Sequence, residues 1–178
     1  MVRTPRPHWW QGLRGEWYVA AQFVLFALVA FGPRRLPGTA AGTAGADGTV
    51  GSASWPAPYG QIASVVGAVL FIVGALLVLA GAARLGMDLS PLPYPRERAT
   101  LRETGAFRLV RHPMYGGAIL VALGWGLWVH GWLTLVYAAA LFILFDLKAR
   151  REERWLNEKF SGYADYQKRV KKLLPFVY

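Results

Sequence analysis

Two apolar runs, residues 113–129 and 132–147, are separated only by His130-Gly131. A two-residue connection leaves the chain no room to travel, so the runs must turn back on each other as a tight helical hairpin. Each is short for a membrane crossing of about 20 residues, so one end of the hairpin is expected to sit partly sunk in the bilayer with water and protein around it. Two further apolar runs come earlier. Residues 17–32 hold a single strongly polar side chain, Gln22, and residues 59–83 are long and almost wholly apolar. With 54% hydrophobic residues in 178 and a positive mean hydropathy, the chain is too apolar for an ordinary soluble domain of its size. The expected fold is all-α: an integral membrane bundle of four transmembrane helices in one domain, with a tight hairpin of the third and fourth.

The connecting segments fill in the organisation. Residues 1–16 carry Arg3, Arg6, Arg14, His8 and the pair Trp9-Trp10, cations and amphipathic rings suited to a membrane–water boundary. A rival reading is a secretory signal peptide, since a basic start, an apolar core and Thr39-Ala40-Ala41 imitate one; cleavage would leave the orientation of the later helices unchanged. Residues 33–58, rich in Gly, Ala, Ser and Thr, read as a flexible external loop. In the second span Gly60, Gly67, Gly74 and Gly81 recur every seven residues, a smooth seam that serves either helix packing or the wall of a cofactor cavity. Residues 84–112 are polar and basic and are broken by Pro91, Pro93 and Pro95, so they form a surface segment. Beyond Leu147 no helix breaker appears until Ser161-Gly162, so the fourth helix is expected to leave the bilayer and continue to about Phe160.

Charge placement sets the topology. The 20 Lys and Arg against 10 Asp and Glu give a net charge of +10. Three of the basic residues precede the first span, six lie between the second and third and nine follow the fourth, against two in the first loop and none in the hairpin turn. The positive-inside rule makes the crowded side, with both chain ends, cytoplasmic. The charge is then explained by topology and by contact with anionic lipids, and no nucleic-acid partner is expected. With no cysteine there is no disulfide, thiolate metal site or cysteine nucleophile, and no metal centre is expected.

Chemistry concentrates at two helix ends that the hairpin brings together. At residues 101–117 a basic approach runs into His112, then Pro113 at a first helical position, then Tyr115. A helix start beside a histidine and an arginine, His112 and Arg111, suits an anionic or polar ligand. At the end of the fourth span, Lys148 and Glu152 share a helical face, as do Asp146 and Arg150. Arg151, Glu153 and Arg154 read as exposed ion-pairing residues at a membrane boundary. For Glu152, opposite the His-Pro helix start, a site role and an exposed ion pair both stand.

The ordered set Thr104-Gly105-Ala106-Phe107, Arg111-His112-Pro113-Met114-Tyr115-Gly116, Glu152-Glu153 and Phe160-Ser161-Gly162-Tyr163-Ala164-Asp165-Tyr166-Gln167-Lys168-Arg169-Val170 resembles the isoprenylcysteine carboxyl methyltransferase family and its bacterial relatives. The resemblance covers about residues 81–175. It implies a multi-pass membrane enzyme, of a bacterial plasma membrane, that holds S-adenosylmethionine in a cytoplasmic cofactor pocket and uses it to methylate a lipophilic or prenylated acceptor entering from the bilayer. It places cofactor contacts on Ala99, Thr100, Leu101, Arg102, Gly105, Phe107, His112, Pro113, Met114, Tyr115 and Glu152, and a substrate-side cation on Lys148. Three positions depart from the family pattern: Phe107 stands where tyrosine is usual, Lys148 offers a point charge where a guanidinium fork is usual, and Leu92 occupies an upstream polar position. If the acceptor is a carboxylate, Lys148 or Arg150 holds it; if it is a thiol or a phenol, Asp146 or His112 is the candidate base. Two other readings remain at this stage. One is a sterol-reductase-like NADPH-dependent oxidoreductase, which shares an Arg-His…Tyr-Gly pattern and a Pro-aromatic ending but expects an acidic residue where Gly116 stands. The other is a non-enzymatic basic membrane adaptor.

Overall fold

The computed structural model describes residues 15–35, 55–86, 101–175 and 177–178, and within them every named element is helical. The elements are α1 (Glu16–Phe31), α2 (Tyr59–Leu85), a 3-10 turn (Gly105–Arg108), α3 (Pro113–Trp128), α4 (Trp132–Lys159) and α5 (Tyr163–Arg169). α1 to α4 occupy the four apolar runs. α2 and α4 are long and apolar enough to cross a membrane, whereas α1 and α3 are apolar helices of 16 residues each. Among the expected site residues, Ala99 and Thr100 lie outside the described residues, as does Leu92.

The His130-Gly131 connection closes as a Schellman motif. Gly131 N–H donates to the Gly126 carbonyl at 3.0 Å and His130 N–H to that of Leu127 at 3.2 Å, with His130 at φ 52° in the left-handed position. Glycine normally takes that position, and a histidine there needs support. The support comes from its ring, which stacks on Trp55 at 5.4 Å and sets Nε2 2.9 Å from the Gly60 carbonyl and 3.1 Å from Ser64 Oγ. The tip of the hairpin is thereby tied to the start of α2.

The glycine seam of α2 is filled by α3. A Cβ added at Gly67 would meet the Gly124 carbonyl oxygen at 2.7 Å, and one at Gly74 would meet that of Gly117 at 2.6 Å. Gly117 and Gly124 are also seven residues apart, and each faces its α2 counterpart in return, so two antiparallel glycine rows bring the backbones together. At the far end of the seam Pro113 and Met114 pack on Gly81. From Gly67 to Gly81 the seam is therefore a helix–helix contact and not a cavity wall, while Gly60 lies against Trp55 and the His130 ring. Gly74→Ala is expected to lower stability by about 1–3 kcal/mol, because its methyl meets backbone that cannot swing aside; unfolding of the purified protein in detergent measures it.

α3 and α4 bury a core of Ile119, Ala122, Ala138, Leu141 and Phe145. α1 joins that pair along one stripe: Tyr18 lies against Arg151, Gln22 against Lys148 and Phe26 against Phe145. The α1 partners rise by four residues while those on α4 fall by three, as expected where antiparallel helices meet on a single face. Past Leu147, α4 continues as a polar extension to Lys159 and stops at Phe160-Ser161-Gly162. α5 then returns the chain to the start of α3, where Arg111 N–H donates to the Lys171 carbonyl at 2.8 Å and His112 N–H to that of Lys172 at 3.0 Å. That return joins the two helix ends that hold the polar residues.

Candidate functional site

The site is built on the start of α3. Pro113 occupies the first helical turn and His112 holds the N-cap position at φ −122° and ψ 69°, with its imidazole turned across to the polar extension of α4. His112 Nε2 lies 3.1 Å from Glu153 Oε1 and Nδ1 lies 3.7 Å from Glu152 Oε2. Glu153 also accepts from Arg111 Nε at 2.7 Å and from Gln167 Nε2 at 3.1 Å. Burial alone would raise the carboxyl pKa of Glu153; the bonds from His112 and Arg111 overcome that and hold it down to about 2. Glu153 is therefore a carboxylate, so the proton in its contact with His112 sits on Nε2. The ring atom left over is Nδ1, directed toward Glu152 but beyond hydrogen-bond distance of it.

Tyr115, one turn into α3, completes the group. Its hydroxyl donates to Glu152 Oε2 at 3.0 Å, and its ring stacks between His112 at 5.4 Å and Phe145 at 4.8 Å, nearly parallel to both. Lys148 Nζ lies 4.9 Å from the centre of the same ring and donates to Gln22 Oε1 at 2.6 Å. The Lys148–Glu152 pairing expected from helical spacing thus gives way to a bond from Lys148 to α1 and one from Tyr115 to Glu152.

Asp146 and Arg150 do pair, at 2.7 Å, but in a second cluster. Asp146 also accepts from Lys172 Nζ and, at 3.0 Å, from the Tyr178 hydroxyl. With three donors committed to it, this carboxylate anchors the returning chain. Phe107 is buried, and its carbonyl accepts from the Tyr166 hydroxyl at 2.6 Å, which fixes the 3-10 turn to α5. Gly105, at φ 64°, packs beside Arg84, while Leu101 and Arg102 lie in irregular chain leading to the turn.

The structure thus gathers His112, Tyr115, Glu152 and Lys148 into one group, sets Asp146 and Arg150 apart, and leaves Pro113 and Met114 packed on α2. Two residues of the site, Glu153 and Gln167, carry no ligand-facing role in the sequence reading, and Arg111, expected beside His112 as part of an anion site, is turned onto Glu153 instead. Glu153, read as an exposed ion-pairing residue, is buried at its centre; Arg111 and Gln167 hold it. The available signal was the position of Arg111 beside His112, since a cation next to a capping histidine needs an acid that the Glu152-Glu153 pair can supply. Gly116 also gains a meaning: a Cβ there would stand 1.9 Å from the Leu173 carbonyl oxygen, so the acidic side chain that a sterol reductase expects at this position has no space.

A family model described as phospholipid methyltransferase matches residues 62–162, which takes in α2, α3, α4 and the Glu152-Glu153 pair but not α1. The cobalt-zinc-cadmium resistance protein CzcN of Cupriavidus metallidurans is 32% identical over 81 residues, 45% of this chain and 38% of that relative, so the chain matches well under half of the relative's length.

Proposed function

The chain belongs to the phospholipid methyltransferase family, which includes the isoprenylcysteine carboxyl methyltransferases, and from that premise we propose that it is a membrane methyltransferase that uses S-adenosylmethionine to methylate a lipophilic acceptor. The observation that carries the reading is the His112–Tyr115–Glu152 group, held on ionised Glu153 at the start of α3.

The donor set fits the cofactor. Its ammonium and ribose hydroxyls need acceptors, which the Glu152 carboxylate offers. Its carboxylate suits the first-turn N–H groups of α3, which have no partner within the helix. When bound, S-adenosylmethionine supplies an electrophilic methyl group. The protein's own residues then have mainly to position and to exclude water: Glu153 fixes the imidazole, Tyr115 fixes Glu152, and the apolar core of α3 and α4 keeps the site dry. Lys148 holds the polar head of the acceptor. Asp146 is engaged by three donors, which weakens it as a base and supports a carboxylate acceptor over a thiol or a phenol.

In this reading all four apolar helices cross the membrane. The basic residues put both chain ends and the site on the cytoplasmic side of a bacterial plasma membrane, against anionic lipid. Cofactor enters from the water and the acceptor, prenylated or otherwise lipophilic, from between the helices.

Calorimetry with S-adenosylhomocysteine on detergent-purified protein tests the reading. The wild type is expected to bind, and His112→Ala and Glu152→Ala each to weaken binding roughly tenfold or more, the loss expected for one hydrogen bond to a charged group. No binding by the wild type overturns the methyltransferase reading; unchanged affinity in both variants overturns the site.

A further inference from the structure

Lys148 is the most deeply buried charged side chain among the described residues, 1% exposed, yet its direct hydrogen bond is to a neutral amide. The neighbouring carboxylates are committed elsewhere: Glu152 to the Tyr115 hydroxyl, and Asp146 to Arg150, Lys172 and Tyr178. A lysine only donates, so the amide orientation follows from chemistry: Gln22 Oε1 faces Nζ, and the two N–H donors of Gln22 point away from it. Gln22 is half-buried, on the stripe where α1 meets α4. Its N–H groups and the remaining N–H groups of Lys148 form a donor set of one sign, flanked by the apolar faces of Tyr115 and Phe145. Glu152 supports this charge from a distance without a hydrogen bond to it, and because a buried charge lacking a bonded counter-ion is costly, an anionic head that bonded Nζ would lower that cost.

We propose that Gln22 is a specificity-determining residue: by holding Lys148 Nζ and presenting its own amide N–H groups, it selects acceptors whose head carries anionic oxygen. This rests on the reading of Lys148 as the acceptor-side cation. It goes beyond the matched family segment, because Gln22 lies on α1, upstream of residue 62. Head-group choice is then set by a helix that residues 62–162 do not contain.

The experiment compares binding of three single-chain amphiphiles, oleate, oleyl phosphate and oleyl alcohol, to the full chain in one detergent by titration calorimetry. The wild type is expected to prefer at least one anionic head over the alcohol by at least about tenfold, the loss of one charge-assisted hydrogen bond, and the stronger of the two names the head as carboxylate or phosphate. Gln22→Leu is expected to reduce that preference to within about threefold of none. Gln22→Glu is the decisive variant. It keeps an acceptor on Lys148, so the contact of α1 with α4 and the unfolding midpoint in detergent are expected to stay as in the wild type, while the glutamate occupies the anion's place and abolishes the preference. Equal binding of all three amphiphiles by the wild type, or wild-type selectivity in Gln22→Glu, overturns the proposal. S-adenosylhomocysteine titrated into the same samples reads the cofactor half separately: its failure to bind overturns the methyltransferase reading, and the amphiphile ratios are read without it.

Discussion

Glu153→Ala is expected to destabilise the protein by about 3–5 kcal/mol, the range for removing one partner from a buried ion pair. The side chains of Arg111 and Glu153 are each 11% exposed, so the guanidinium would be left with carbonyls alone, among them Gln167 O at 3.1 Å, and His112 Nε2 with nothing. Those bonds join the start of α3, the extension of α4 and the return from α5, so the loss is spread over all three. Glu152→Ala removes one bond from Tyr115 and is expected to weaken cofactor binding with a much smaller effect on unfolding. Chemical unfolding of both variants in detergent separates the roles, and equal destabilisation by the two would overturn the distinction between anchor and ligand-facing acid. The pH dependence follows from the same contact. The folded-state carboxyl is depressed from 4.5 to about 2, so its contribution is fully present above pH 4.5 and is lost as pH falls through about 2. The wild type should therefore lose stability between those limits by more than Glu153→Gln, which lacks the titrating group.

How much of this was legible in the sequence depended on the range of the interaction. Apolar runs report burial from water or exposure to lipid over many residues, so the helices and the hairpin were readable, and the charge pattern suggested a sidedness. The glycine rows were readable as a seam, but their partner was not, because packing of Gly67 on Gly124 and Gly74 on Gly117 is a property of the assembled pair. Ion pairing was readable only within one helix. Asp146–Arg150, four residues apart, forms as spaced. Lys148–Glu152 has the same spacing and yields to partners 126 and 37 positions away, Gln22 for the lysine and Tyr115 for the acid, because tertiary contacts in a buried setting outweigh an i,i+4 pair of a few tenths of a kcal/mol. Glu153 was misjudged for the same reason: beside Arg151 and Arg154 it looks solvated, and the residues that bury it come from the start of α3 and from α5. α5 itself carries too short an apolar signal to stand out, with Tyr163 and Tyr166 as its buried residues.

Gly116→Ala is expected to open the site from behind. The added methyl carbon would stand 1.9 Å from the Leu173 carbonyl oxygen, and what it meets is backbone, so either α3 or the returning segment has to move. α3 is fixed by the α2 seam through Gly117 and Gly124, about 100° around the helix from Gly116, which makes the return the part that yields. Leu173 is itself fully buried, packed in the core with Ile119 and Phe145, and the strand-like bonds of Arg111 to Lys171 and His112 to Lys172 lie directly before it. Displacing Leu173 therefore withdraws a core side chain and loosens the backbone that orients His112. The expected loss is about 1–3 kcal/mol for alanine, as for other overpacked sites, and more for valine. Gly162→Ala serves as the control, since a Cβ there meets nothing within 4 Å, and a surface change of that kind is expected to stay within about 0.5 kcal/mol. Limited proteolysis reads the displacement directly: cleavage after Lys171 or Lys172 should quicken in Gly116→Ala and not in Gly162→Ala. If the two variants were cut at the same rate and unfolded alike, the return of the chain would not be what holds His112 in place.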